Sequence, residues 1–464
     1  MSLVYFVALP ILASFLTPLY KNYLKYVSVV LFAVLLGMVI QLGQSLPLVE
    51  RVAFDSPLSI TFVLDSASWF FTLLFIFVML LFSVYNLKSE NNRAVFILSN
   101  LLLSGVLGLV LSHDIFNIYI FFEIASISAY ILTSLNRDKK AYGGVIRYMI
   151  IGTIASLFLL LAIMLIYLSI GSLNLTAIGE NFNTIDVKIQ FLIFLSLFIG
   201  FGIKVEVFPL NFWVADIYQA SRSKVDALFS AILSKSYLFV FFHIAFILNV
   251  PSKYLGFLVV IGAVSFAVAE ISALSSRDVK RIFAYSTLGQ LGVLFLAFSY
   301  GSEVVITGAM FLIFMHSLTK LMLFLSLDIL EQHFKSTKID IFGVYRSLFL
   351  TFIFTIGFLS ILGIPPFGGF IAKLTILKGL ASLGEYVMII VILAITLIEA
   401  TYFFRLLGMT VGDGEKTPVA IPLLQKGVLA LLALLLIYFG IFPETLLDLC
   451  SQAATAIMKG SIHV

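Results

Sequence analysis

The sequence predicts an all-α polytopic membrane protein of about fourteen transmembrane helices. Two inverted five-helix repeats are expected, over spans four to eight and nine to thirteen, with helices seven and twelve broken. Three observations lead there. Apolar runs of eighteen or more residues recur along the whole chain, which is the signature of membrane-spanning helices. Lysine and arginine collect in alternate loops. Two overlong spans are interrupted by proline, each beside a lysine.

Composition excludes most other classes. Of 464 residues, 61% are hydrophobic and 11% charged, against about 25% charged in soluble domains, and mean hydropathy is +1.14. The net charge of +4 is too modest to imply a nucleic-acid partner. The single cysteine, Cys450, forms no internal disulfide and sits in no metal-ligand spacing, so the residues offer neither a metal site nor a redox centre. The first apolar stretch, Leu3 to Tyr20, has its lysines (Lys21 and Lys25) after it. A signal peptide needs the opposite order, so it reads as a retained first span.

Apolar windows between charged or Gly/Pro punctuation place the spans at about 2–20, 24–42, 58–86, 94–112, 114–135, 144–170, 187–208 with a continuation to about 220, 225–249, 252–274, 281–299, 303–330, 347–383, 385–408 and 422–442. With the N-terminus outside, nineteen Lys and Arg fall in inner loops and five in outer loops or the tail. The other four, Lys204, Lys235, Lys320 and Lys373, lie inside spans. This asymmetry supports the span count and places both termini outside. The organisation that follows is three N-terminal helices over 1–92, a first five-helix repeat over 93–250, a second over 251–410, and a last span with an interfacial tail helix over 411–464.

Spans seven and twelve run about 34 and about 37 residues, where a straight crossing takes about twenty. Pro209 interrupts the first, and Gly363, Pro365, Pro366, Gly368 and Gly369 interrupt the second. Lys204 lies near one break and Lys373 near the other. The two spans are five apart, so they cross in opposite directions. Paired broken helices of opposite direction mark an inverted repeat with ion sites at the breaks.

Ionisable residues recur in the apolar zone. Glu123 lies nine residues past Asp114, about 13 Å into its helix, and Lys235 eleven past Lys224, about 16 Å in. His316 and Lys320 are four apart and share one helix face. Glu399 lies deep in span thirteen, and Glu206 beside the first break. Each such charge costs about 2.5–3.5 kcal/mol at a helix centre. Glu123, Lys204, Lys235, His316, Lys320 and Lys373 therefore read as an ion path, with Glu206 and Glu399 as accessories. The bland alternative is a set of ion pairs that only brace the bundle. Glu123 and Lys204 are expected close enough to couple, without a fixed bidentate contact. No Gly-rich phosphate loop, H-E-x-x-H or Ser/His/Asp set is present, so no catalytic site is expected and no cofactor is implied. His113, His243, His333 and His463 fall at span edges or in loops and read as solvated.

The segments "HDIFNIYIFFEIASISAYIL", "GIKVEVFPLNFWVADIYQ", "SRDVKRIFAYSTLGQLG", "HSLTKLMLFL" and "GIPPFGGFIAKLTILKG" resemble the antiporter-like membrane subunits of respiratory complex I. The same family supplies subunits of multisubunit sodium/proton (Mrp-type) antiporters and of energy-converting membrane-bound hydrogenases. The resemblance covers roughly residues 100–380 and implies that each inverted repeat forms half a proton channel. It matches Glu123 to the glutamate of span five, Lys204 to its partner in span seven and Lys235 to the connecting lysine of span eight. It matches His316 and Lys320 to the polar pair of span eleven, and Lys373 to the terminal residue of span twelve. Two departures stand out. The family usually carries histidine where this chain has Asn211, and a Pro/Ala-rich stretch where this chain reads "QASRSKVDAL". That stretch places Arg222, Lys224 and Asp226 at the inner start of span eight, where the entrance to the first half-channel is altered or given over to another subunit.

The resemblance implies a non-redox subunit of a prokaryotic-type cytoplasmic membrane, assembled with other membrane subunits and, through them, a peripheral redox module. It would move protons, or exchange them for sodium. A non-conducting bridging subunit of the same kind of complex is the alternative. A stand-alone solute carrier lacks a roomy polar site for an organic substrate.

Overall fold

The computed structural model describes residues 2–20, 23–52, 60–88, 93–136, 139–411 and 415–459; Lys21, Arg137, His463 and the side chain of Lys140 lie outside them. Among the described residues, twelve helices are long and apolar enough to cross a membrane: Leu24–Ser45, Ser66–Asn86, Arg93–Leu111, Ile115–Asn136, Ala141–Ile170, Val187–Val205, Ser223–Ile247, Ser252–Ser275, Val279–Ser299, Glu303–Phe334, Tyr386–Val411 and Leu423–Ile441. Two shorter apolar helices, Val4–Phe15 and Leu348–Leu362, stand where the first span and the first half of the twelfth are expected. A sixteen-residue helix, Glu444–Lys459, closes the chain. Contacts divide the chain into two compact units, Met1–Val205 with Ile232–Leu255 and Gln452–Val464, and Glu206–Ala231 with Gly256–Ser451.

In the first unit, span three begins at Ser66 and not near residue 58, because Ile60–Leu64 is a strand. It pairs antiparallel with Leu48–Val52, Leu48 opposite Leu64. Asp65 ends the strand and starts the helix through a capping box. Its carboxylate accepts from the Ser68 amide at 2.7 Å, and its own amide donates to Ser68 Oγ at 2.8 Å, which satisfies backbone donors that a helix start leaves open. Span five opens on another aspartate cap, Asp114, accepting from the amides of Phe116 and Asn117 at 3.0 and 2.8 Å. Ile146, Ile150, Leu157, Leu161 and Leu168 form an exposed apolar stripe on the Lys139–Ile170 helix. Such a face is stable against lipid or another apolar surface.

In the second unit, the 32-residue helix Glu303–Phe334 is buried along most of its length. Spans nine and ten meet through glycine: a Cβ on Gly292 would stand 2.6 Å from the Phe266 amide nitrogen and 2.8 Å from the Gly262 carbonyl. Small residues allow this backbone approach, which drives helix association where lipid removes the hydrophobic incentive.

Both expected breaks are non-helical. Span seven ends at Val205, and Glu206 follows with φ +68°; helix resumes at Val214–Ala220. Span twelve ends at Leu362, Gly363 takes φ +74°, and helix resumes at Gly368–Ser382. Freed backbone groups find partners. The Phe208 amide donates to Ser265 Oγ at 2.9 Å, and the Gly363 and Ile364 amides bond back to Ser360 and Leu359 carbonyls at 3.2 and 3.0 Å. Irregular backbone survives at membrane depth only when it is satisfied in this way. Span eight carries a further irregularity, a π-helical turn over Phe229–Leu233.

Gly292→Val should test the glycine contact. Its side chain would meet backbone and not a mobile tip, so overpacking is expected to cost about 1–3 kcal/mol. A thermal unfolding midpoint in detergent several degrees below the parent is the expected result; an unchanged midpoint would mean that spans nine and ten separate freely.

Candidate functional site

Three of the four predicted lysines, Lys204, Lys320 and Lys373, are met by identified polar or aromatic groups. In the first unit, Lys204 is 2% exposed in the last turn of span seven. Its Nζ donates to the Tyr130 hydroxyl at 2.9 Å. Four ring centroids surround the ammonium: Tyr130 at 4.8 Å, Tyr148 at 5.0 Å, Phe122 at 5.4 Å and Tyr237 at 6.0 Å. Aromatic faces attract a desolvated cation by up to about 2 kcal/mol each, less than a carboxylate in contact would.

Glu123 is held by Ser156, one helical turn from Gly152. A Cβ on Gly152 would stand 1.7 Å from Tyr130 Oη and 3.0 Å from Lys204 Nζ, so only glycine admits that hydrogen bond. One turn on, the Ser156 hydroxyl bonds the Glu123 carboxylate and also donates to the Gly152 carbonyl at 3.1 Å. The Gly152–Ser156 turn therefore touches the surroundings of both predicted partners. Lys235 is fully buried, two residues past the π turn, an irregularity frequent at functional sites. Nearby on the same helix, Tyr237 bonds Ser126 at 3.0 Å.

In the second unit, Lys373 pairs directly with Glu399, Nζ to Oε2 at 3.2 Å, and donates to the Leu362 carbonyl at 3.3 Å. The carbonyl freed at the second break is thus satisfied by the predicted terminal lysine. Gln290 donates to the other Glu399 oxygen at 2.9 Å. Gln290 also lines a cavity of about 10 Å³ with His316, Thr319 and Ser360, the size of one water. Lys320 is fully buried and donates to Ser286 Oγ and the Phe283 carbonyl, both at 2.9 Å. His316 and Lys320 share a helix face as expected; His316 faces the small cavity, while Lys320 bonds Ser286 and the Phe283 carbonyl. Glu206 is buried at the first break, in this second unit.

Several polar residues escaped the sequence reading. Glu270, in span nine, is fully buried and accepts from the Tyr402 hydroxyl at 2.8 Å; a lone glutamate in an apolar run was the available signal. The Lys204 cage looked like ordinary aromatic packing. Lys280 was expected in a loop, yet it is 1% exposed, 2.9 Å from Glu331 and 4.0 Å from Asp226. Lys224 and Asp226 are buried too, because the Arg222–Asp226 stretch folds against spans ten and eleven.

The histidines need correction. His113 is 2% exposed, not solvated. The strand pairing draws it in: its amide donates to the Thr61 carbonyl at 2.8 Å, and Nε2 bonds Thr176 Oγ1 at 2.9 Å. Burial, assisted by the nearby His243, pushes its pKa down to about 4. Both histidines line a pocket of about 430 Å³ with Asp65 and Lys459. His333 is exposed, as expected. Among the described residues, no group of three or more His, Cys, Asp or Glu could hold a metal ion.

A double-mutant cycle should measure the Lys204–Tyr130 contact. Tyr130→Phe and Lys204→Met are each expected to lower stability, with a coupling of about 1–2 kcal/mol, since hydrogen bonds to charged groups contribute about 1.5–3 kcal/mol. Strictly additive effects in chemical or thermal unfolding would mean that the contact holds nothing.

Comparison with known proteins identifies the family. Residues 112–398 match the family described as "NADH:quinone oxidoreductase/Mrp antiporter, TM". The chain is 30% identical over 324 residues to the NADH-quinone oxidoreductase subunit N of Desulforudis audaxviator, covering 68% of this chain and 64% of that relative, just under two thirds of its length. It is 28% identical over 421 residues to the putative antiporter subunit mnhD2 of Staphylococcus aureus (strain MRSA252), covering 86% and 83%. A chain of the membrane-bound sulfane sulfur reductase, an archaeal respiratory membrane complex, superposes with a TM-score of 0.93 at 28% identity, over 98% of both chains. This chain is a multi-pass membrane protein, and it belongs to the NADH:quinone oxidoreductase/Mrp antiporter transmembrane family.

Proposed function

We propose that the chain is an ion-translocating, non-redox membrane subunit of a multisubunit complex. It moves protons, alone or in exchange for sodium, driven by a peripheral redox module that other membrane subunits connect to it. Glu123, Lys204, Lys235, His316, Lys320 and Lys373 carry the ion, with Glu206 and Glu399 as accessories. The two half-channels correspond to residues 93–250 and 251–410, related by inversion. The chain resides in a prokaryotic-type cytoplasmic membrane with both termini outside.

One observation carries this reading. A buried lysine stands beside a helix break in each unit, held by groups that stabilise a charge and can also release it: Lys204 by a hydroxyl and aromatic faces, Lys373 by a carboxylate and a break carbonyl. Ionisable residues this deep mark proton or ion paths. The direct Lys373–Glu399 pair would equally serve a non-conducting bridging subunit as a brace, so the experiment must separate transport from assembly.

In the intact complex, reconstituted in vesicles, Lys204→Ala and Lys373→Ala should reduce ion transport per redox turnover much more than they reduce the yield of assembled complex. Equal losses of yield and transport would favour the bridging reading. Glu123→Gln should assemble, retain electron transfer and pump poorly.

Orientation is checked separately. Membrane-impermeant reagents should label cysteines introduced near either end of the chain from outside intact cells. Labelling of either end only after permeabilisation would overturn the span count and the loop-charge argument behind it.

A further inference from the structure

Glu270 belongs to no part of the path proposed above, yet the second unit builds a directed chain of polar groups toward it. Lys320 Nζ donates to Ser286 Oγ at 2.9 Å. Ser286 lies beside Tyr402, the next hydroxyl in line. Tyr402 Oη donates to Glu270 Oε2 at 2.8 Å. All four side chains are fully buried, and they come from spans eleven, ten, thirteen and nine. Lys320 has only donors and the Glu270 carboxylate only lone pairs, while each hydroxyl between them has one proton to give. A proton passed along this line can therefore run only from lysine to carboxylate.

We propose that Glu270 is a proton-accepting residue of the path, loaded from Lys320 through the Ser286 and Tyr402 hydroxyls. This rests on the translocation reading and deepens it. The transfer balances without a further reactant. Lys320 gives one proton to Ser286 as Ser286 passes its own to Tyr402, and Tyr402 passes its own to Glu270. Lys320 is left as a neutral amine, Glu270 as a neutral carboxylic acid, and both hydroxyls are restored.

The surroundings suit a transient acceptor. Glu270 Oε1 makes no hydrogen bond among the described residues. It lies against Gly289, where a Cβ would stand 1.9 Å from it, so only glycine leaves room for that oxygen. The next residue, Gln290, donates to Glu399. Glu399, Lys320 and Lys373 are the charges that act on Glu270. Like charges in one apolar interior repel, so a proton on Glu270 relieves its repulsion with Glu399 and leaves Glu399 to Lys373. Glu270 thus links the Lys320 branch to the Lys373–Glu399 pair.

The test uses the intact complex in proteoliposomes, measuring proton transport per redox turnover for Glu270→Gln, Glu270→Asp and Tyr402→Phe beside Lys204→Ala. Glu270→Gln keeps an acceptor for Tyr402 but cannot hold the proton, and Tyr402→Phe removes one hydroxyl. Each is expected to lower transport on the order of tenfold or more, the scale of a lost proton-transfer group, with partial recovery in Glu270→Asp. Infrared difference spectra during turnover should show a carboxylic-acid carbonyl band in the parent that is missing in Glu270→Gln, a signature that a merely structural glutamate would not produce. Should Glu270→Gln fail to assemble, Tyr402→Phe decides alone. Parent-like transport in the assembled relay variants, with Lys204→Ala impaired, overturns the relay and leaves the translocation reading standing. Parent-like transport in Lys204→Ala as well overturns both.

Discussion

A lysine inside an apolar helix bundle has to be solvated by protein, and most of this structure's irregular features follow from that requirement. Removing one partner of a buried pair costs about 3–5 kcal/mol, so polar groups cannot be scattered; they must converge. Helix breaks provide them, because an interrupted helix leaves carbonyls and amides that need partners themselves. The Leu362 carbonyl accepts from Lys373, and the two needs cancel.

The two units meet the requirement differently. Around Lys204 the chain places a hydroxyl and four aromatic faces, and the fit depends on the missing side chain of Gly152. Around Lys373 it places a carboxylate, itself held by Gln290. A cage tolerates a neutral amine more readily than an ion pair does, since a ring face keeps its apolar contacts when the charge leaves.

The departure from the family pattern at "QASRSKVDAL" also has a structural consequence. Lys224 and Asp226 turn inward, where Asp226 accepts from Ser221 and lies 4.0 Å from Lys280. Their charges meet in a buried cluster with Glu331, which also accepts from the Ser223 amide at 3.0 Å.

How far the sequence reaches differs by feature. Span positions, the two breaks and the burial of Lys204, Lys235, Lys320 and Lys373 were all legible, because transfer energy acts on each residue alone and a proline's missing amide acts locally. Strand Ile60–Leu64 was absorbed into span three, since five apolar residues before a helix read the same in either conformation. His113 looked solvated for a similar reason: its burial comes from a strand and a loop that are remote in sequence. The Lys204 cage and the Lys320–Ser286–Tyr402 chain depended wholly on tertiary structure. Their members lie on different helices, and a serine, tyrosine or phenylalanine in an apolar span carries no sign of what it will face. Hydropathy along the chain therefore determined which residues enter the membrane bundle, and helix packing through close contacts such as Gly292 against Phe266 decided which of them meet, because contact energies depend on distances that no linear pattern encodes.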